Sequence, residues 1–157
     1  MKFSSREDIA APAEFVFDQL SDFTSFERAA TRRGARLRRL DTLAEPGAGM
    51  SWDVAFMMRS KPRQVIIDLR RFTRPESFEY AGTSGSFEML LGLDLTPISP
   101  CRTRLQIGFE VKPRSLGGRL MIQSAKLGRS NLNKRFADRV RAYALDIEDR
   151  ARRAGVA

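Results

Sequence analysis

The stretch Met50-Ser51-Trp52-Asp53-Val54-Ala55-Phe56-Met57-Met58-Arg59 alternates without a break. Met50, Trp52, Val54, Phe56 and Met58 share one side, and Ser51, Asp53, Ala55, Met57 and Arg59 share the other. Period two is the repeat of an extended strand, whose successive side chains point to opposite faces, so this segment reads as a strand with one apolar face. The flanking residues repeat the pattern. Glu45-Pro46-Gly47-Ala48-Gly49 is a turn, and before it Ala35, Leu37 and the residues to Leu43 read as a strand. Lys61-Pro62 closes the central run. Val65, Ile67 and Leu69 then alternate with Asp68 and Arg70 up to Thr73, Arg74-Pro75-Glu76 turns the chain, and Phe78 and Tyr80 alternate with Glu79 to Ser84. Gly85 turns it again. Phe87, Met89, Leu91, Leu93 and Leu95 form the next run, and Leu105, Ile107, Phe109 and Val111 follow a turn at residues 97–100. Short turns between consecutive strands predict an antiparallel meander, apolar on one face and polar on the other.

On either side of this meander the pattern changes. Residues 2–9 alternate and predict a first strand that ends at Ala11-Pro12. Phe15, Val16, Gln19 and Leu20 then recur at helical spacing to Asp22, with Pro12 suited to the first turn. A second short helix is expected from about Ser25 to Ala30, since residues 22–25 offer caps and Phe23 and Phe26 lie three apart. Beyond Pro113 the period returns to 3.6. Leu116, Leu120, Ser124, Gly128, Leu132, Phe136, Val140, Tyr143 and Ile147 make one amphipathic stripe, predicting a long helix to about Arg152. Unbroken from 116 to 152 it would be roughly 55 Å long, nearly twice the diameter expected of the domain, so it is expected to bend, with Gly128 as the place for the bend, or to overhang. Together these elements predict an α+β fold in a single domain spanning residues 1–157. A curved antiparallel sheet of about seven strands would wrap around the long C-terminal helix, with two short helices after the first strand.

Composition removes several chemistries. The 157-residue chain carries a net charge of +9 from 28 basic and 19 acidic residues, and it has no histidine. Histidine catalysis and histidine metal ligation are excluded. The one thiol, Cys101, sits in a Pro100-Cys101-Arg102 turn, so neither an intramolecular disulfide nor a zinc site can form, and no cofactor or metal is expected. Gly47-Ala48-Gly49 joins two strands and Gly117-Gly118 lacks the strand-loop-helix context, so no phosphate loop is present. Asp53, Asp68, Glu79, Glu88, Asp94 and Glu110 fall on the outward parity, as a solvated face rather than an acid/base pair. Residues 1–8 are charged and carry no apolar leader segment, and apolar runs are as short as Met89 to Leu91, so a cytoplasmic location is expected. Two basic clusters stand out: Arg28, Arg32, Arg33, Arg36, Arg38 and Arg39, and then Arg129, Lys134, Arg135, Arg139 and Arg141. Lacking an exposed aromatic platform, they would support weak, sequence-blind association with RNA, ribosomes or an anionic membrane.

The segment Ile9-Ala10-Ala11-Pro12-Ala13-Glu14-Phe15-Val16-Phe17-Asp18-Gln19-Leu20-Ser21-Asp22-Phe23, with the order of elements around it, resembles the START, polyketide-cyclase and coenzyme-Q-binding proteins of the SRPBCC superfamily. The resemblance spans residues 2–152 and implies the helix-grip fold. It also implies a cavity between sheet and long helix for an apolar or amphipathic small molecule such as a lipid, isoprenoid quinone or polyketide-like compound. Members share a scaffold and differ in what lines the pocket, so no catalytic residue is carried over.

Parity then names the expected lining. From the strands it takes Trp52, Val54, Phe56, Met58, Val65, Ile67, Leu69, Phe78, Tyr80, Phe87, Met89, Leu91, Leu105, Ile107 and Phe109. From the long helix it takes Ser124, Ala125, Gly128 and Asn131, whose small side chains would leave space opposite the sheet. The same aromatic stripes would also suit a filled core. Glu7 and Tyr80 are the inward groups with acid/base or hydrogen-bonding capacity. Three functions follow as alternatives: a carrier or sensor of a hydrophobic ligand, a cyclase, dehydratase or hydrolase acting in the same pocket, and a ribosome- or membrane-surface module.

Overall fold

The computed structural model describes residues 1–156. Its elements run β1 (Lys2–Ile9), α1 (Ala13–Leu20), α2 (Phe23–Arg32), β2 (Arg36–Arg39), β3 (Ser51–Met58), β4 (Lys61–Thr73), β5 (Ser77–Thr83), β6 (Phe87–Ser99), β7 (Arg102–Pro113), α3 (Leu116–Lys126) and α4 (Arg129–Arg153). The seven strands form one antiparallel sheet in the order β1-β7-β6-β5-β4-β3-β2. Only β1 is out of sequence, paired with β7 from Lys2 opposite Glu110 to Ile9 opposite Thr103. This is the helix-grip architecture of the α+β class.

Local chemistry sets the boundaries. Pro12 occupies the N-cap of α1, where an imino nitrogen loses nothing. The Asp22 carboxylate caps α2, accepting from the Ser25 amide at 3.2 Å and from its hydroxyl at 2.7 Å. β2 is shorter than its alternation predicts because Asp41 ends it. The Asp41 carboxylate accepts from the Arg39 guanidinium and from the backbone amides of Leu43 and Ser51, folding the chain back on itself. Lys61-Pro62 does not turn the β3–β4 hairpin. Arg59 and Ser60 do, with φ of 52° and 62°, and β4 already begins at Lys61. β6 also runs further than expected, to Ser99, because the ladder absorbs Pro97 at a register irregularity between Pro97 and Ser99.

The C-terminal segment departs most from its sequence pattern. Instead of one bent helix there are two, separated at Leu127 and Gly128, and the break changes the phase of the stripe. α3 buries Gly118 and Ile122, whereas α4 buries Val140, Ala144, Ile147 and Ala151. Leu116 and Leu120, placed by the unbroken stripe against the sheet, are 74% and 58% exposed. Gly128 is the N-cap of α4, and the only neighbour a Cβ there would meet within 4 Å is the Ala125 carbonyl at 3.9 Å.

The core occupies one end of the sheet's apolar face. Phe17 from α1 stacks on Phe78 with ring centroids 4.4 Å apart and meets Phe72 edge-on at 5.1 Å. Around them Ile9, Leu69, Leu105 and Ile147 are fully buried. α4 packs along β1 rather than down the middle of the sheet, with Phe136 against Phe3 at 5.8 Å. α2 lies over β2 on the opposite side. Between α2 and α4 the apolar faces of the central strands are left without a filling layer.

Candidate functional site

That gap is a cavity of about 500 Å³. Its floor is the sheet: Trp52 and Val54 of β3, Val65 and Ile67 of β4, Tyr80 and Gly82 of β5, Met89, Leu91 and Leu93 of β6, and Phe109 of β7. These positions share one parity, so strand alternation alone brings them to one surface. The roof is mainly α2. Phe23, Phe26, Glu27 and Ala30 recur at i, i+3, i+4 and i+7, the spacing that puts them on one helical face, and all four line the cavity. Leu20, Leu37 and Tyr143 close the remaining sides. Phe26, 43% exposed and 6.2 Å from the Tyr143 ring, stands at the rim where α2 approaches α4.

Polar groups are few and specific. The Trp52 indole N–H donates to Glu27 Oε1 at 3.0 Å, tying the roof to the floor across the apolar space. Arg39 covers the Trp52 ring with its guanidinium carbon 5.6 Å from the centroid. The Tyr143 hydroxyl reaches the Gln19 carbonyl at 3.4 Å. No hydrogen-bond partner for the Tyr80 hydroxyl occurs among the described residues, which leaves a donor free on the cavity floor. Burial, with a smaller contribution from Tyr143, pushes the Tyr80 phenol above its ordinary value. Burial likewise pushes Tyr143 up to about 12. Both are neutral phenols at physiological pH and act as hydrogen-bond donors rather than bases.

Of the residues expected from parity, Trp52, Val54, Val65, Ile67, Tyr80, Met89, Leu91 and Phe109 lie together on this surface. Leu69, Phe78 and Leu105 face the same way, but the α1 plug and the core around it bury them. Phe56 and Met58 lie beyond the cavity toward the β3–β4 turn, Phe87 lies outside it, and Ile107 packs against the core. Ser124, Gly128 and Asn131 are exposed and away from the lining, as Ala125 is from its half-buried place on α3, because the helix break removes this segment from the sheet centre. α4 contributes only Tyr143 to the wall. Glu7 lies on β1 opposite Leu105 and does not reach the cavity.

Strand parity does not reveal the α2 roof as a wall, although its i, i+3, i+4, i+7 pattern is present in the sequence. Nor does it single out Arg63. This residue has the parity of Val65 and Ile67, sits opposite Phe56 across the β3–β4 ladder, and holds a buried Nε with no hydrogen-bond partner. Among the described residues, no group of three or more Cys, Asp or Glu is placed to hold a metal ion. Among the same residues no helix is long and apolar enough to cross a membrane.

Solved structures share this architecture. The ZhuI aromatase/cyclase from Streptomyces sp. R1128 superposes with a TM-score of 0.65 at 16% identity, covering 100% of this chain and 99% of that one. The protein TTHA0849 from Thermus thermophilus gives 0.60 at 16% identity over 98% and 99%. A START superfamily protein from Mycobacterium smegmatis gives 0.55 at 14% identity over 85% and 95%. At such identities the likeness is one of fold. No curated protein matches the chain. A family model described as polyketide cyclase/dehydrase and lipid transport matches residues 1–152, and with nearly the whole length covered the chain belongs to that family.

Proposed function

We propose that the protein binds one hydrophobic or amphipathic small molecule between the α2 roof and the central strands. The observation that carries this reading is an apolar cavity of about 500 Å³ whose few polar lining groups are the Glu27 carboxylate, the Trp52 indole N–H bonded to it, and the hydroxyls of Tyr80 and Tyr143, that of Tyr80 without a partner among the described residues. Apolar walls supply affinity by removing ligand surface from water, and a small number of fixed polar groups supply orientation. A ring system or acyl chain would lie on Trp52, Ile67, Leu91 and Phe109, with an oxygen accepting from Tyr80. The family's description, which joins lipid transport to cyclase and dehydrase activity, supports the same ligand class.

Native mass spectrometry of gently purified protein is expected to show a bound apolar compound at a 1:1 ratio. Trp52, the sole tryptophan and a wall residue, is the reporter for titration, its emission changing as a fatty acid or polycyclic aromatic enters. Protein that is empty from several hosts and unresponsive to both probes overturns the reading. A catalytic reading has one observation in its favour, the Tyr80 hydroxyl without a protein partner on an apolar cavity floor. Tyr80→Phe separates the two. A binding role predicts a loss of about threefold to tenfold in affinity for a ligand carrying a carbonyl, the worth of one hydrogen bond, with stability unchanged. A catalytic role predicts loss of turnover with affinity kept.

A further inference from the structure

α3 presents two opposite faces. Gly118 and Ile122 are buried on one, with Met121 and Ala125 half-buried beside them. Gly118 is pressed against the β5–β6 turn so closely that a Cβ would collide with the Ser86 carbonyl. Arg114 locks the same junction, its backbone amide donating to the Ser86 carbonyl and its guanidinium to the Ser84 carbonyl, both at 2.8 Å. On the other face stand Leu116, Leu120 and Leu127, which are 74%, 58% and 91% exposed. At 3.6 residues per turn they fall within about 40° of one another, as one stripe directed away from the protein.

The charge around the stripe is one-sided. From Lys112 to Ala137 the chain carries seven basic residues and no acidic one, so this segment accounts for seven of the molecule's nine net positive charges. Lys112 pairs with Glu110. Arg119, Lys126, Arg129, Lys134 and Arg135 have no carboxylate within 4 Å among the described residues. In the other basic cluster Arg38 pairs with Asp53 and Arg39 with Asp41, and Arg28, Arg32, Arg33 and Arg36 have no carboxylate within 4 Å among the described residues, but α2, which carries Arg28 and Arg32, has no leucine to set beside them.

From this arrangement we propose that α3 docks the protein onto an anionic lipid bilayer. The leucine stripe enters the boundary between headgroups and acyl chains, and the unpaired cations of α3 and the start of α4 meet headgroup phosphates. Leucines flanked by lysine and arginine on a surface helix match the chemistry of that boundary, and three leucines alone are too few for a neutral membrane. A second copy of the chain would bring like charge against like charge, and nucleic acid would leave the leucines unused. The turn that anchors α3 runs directly into Gly82 and Met89 of the cavity wall, so docking would set one end of the cavity at the membrane. The proposal stands whether the cavity carries a ligand or transforms one.

The test is flotation of the full chain with vesicles of phosphatidylcholine alone and of phosphatidylcholine with about one-third phosphatidylglycerol. Expected is binding to the anionic vesicles that weakens at least about tenfold from 50 to 200 mM salt, with little binding to neutral ones. Leu116→Ser/Leu120→Ser/Leu127→Ser should lose at least about tenfold in affinity at an unchanged unfolding midpoint, since all three side chains are solvent-exposed. Lys126→Glu/Arg129→Glu, which alters no observed ion pair, should lose as much and provides a second route to the same answer. The proposal is overturned if wild-type protein does not float with anionic vesicles, or if neutral vesicles bind as well. Full binding by the folded leucine variant overturns it too, as does tighter binding to homopolymeric RNA that is indifferent to the leucines.

Discussion

Single residues in the C-terminal segment discriminate between its two readings most sharply. Sequence spacing puts Gly128 on the ligand side of a continuous helix, and the structure puts it in the open at the start of α4. Gly128→Ala is therefore expected to change stability by no more than about 0.5 kcal/mol and to leave ligand affinity unaltered. Gly118 is the glycine that space requires. Gly118→Ala should cost about 1–3 kcal/mol in chemical denaturation, because backbone of the β5–β6 turn must move to admit the methyl group. Equal stability of the two variants would contradict this account of α3. Neither role was legible in the residues, since Gly117-Gly118 and Gly128 differ only in what a distant turn does. The face of Trp52, Val54, Ile67, Tyr80, Met89, Leu91 and Phe109 was legible, because parity depends on nothing beyond the strand itself.

At the scale of elements, local rules recovered the strands and the two early helices. They failed where a tertiary contact or a side-chain hydrogen bond decided the outcome. Asp41 stops β2 by binding amides that the ladder would otherwise use, and nothing in the alternation from Ala35 to Leu43 foretells it. The β3–β4 hairpin turns on Arg59 and Ser60, two side chains held in the left-handed region. Asn and Gly suit that region in two-residue hairpins. Arg59→Asn/Ser60→Gly is accordingly expected to raise stability by about 1 kcal/mol, with binding unchanged because the turn lies outside the cavity. A drop in thermal midpoint would mean that the Arg59 side chain makes a contact worth more than the strain. The C-terminal segment departs from its sequence stripe for a related reason. A stripe of period 3.6 continues formally through Leu127 and Gly128, but a two-residue interruption rotates every later position, and only burial reveals it.

For the whole molecule, charge and space are both unevenly distributed. Asp8 is held below the usual carboxylate range by its hydrogen bond to Arg104. Asp22 is held down by Ser25, and Asp41 by Arg39 and the Ser51 amide. Carboxyls depressed in the folded state contribute stability that is present above the ordinary Asp value of 3.8 and lost as the pH falls below it. Urea midpoints should thus be level near neutrality and decline below about pH 4, with a shallower decline in Asp41→Asn; a flat acid limb would contradict these pairings. Space is uneven because Phe17 fills one end of the sheet's apolar face and no side chain fills the other. Sequence parity identifies the face but not which part of it is covered, so the cavity's place beneath α2 had to come from the fold. Its role is tested most directly by filling it. Ala30→Phe/Val54→Phe adds a ring from the roof and another from the floor, and binding of a fluorescent fatty acid is measured beside chemical denaturation. Affinity is expected to fall at least about tenfold with stability kept within about 1 kcal/mol, since the rings enter empty space. Undiminished affinity in the stably folded variant would contradict that role.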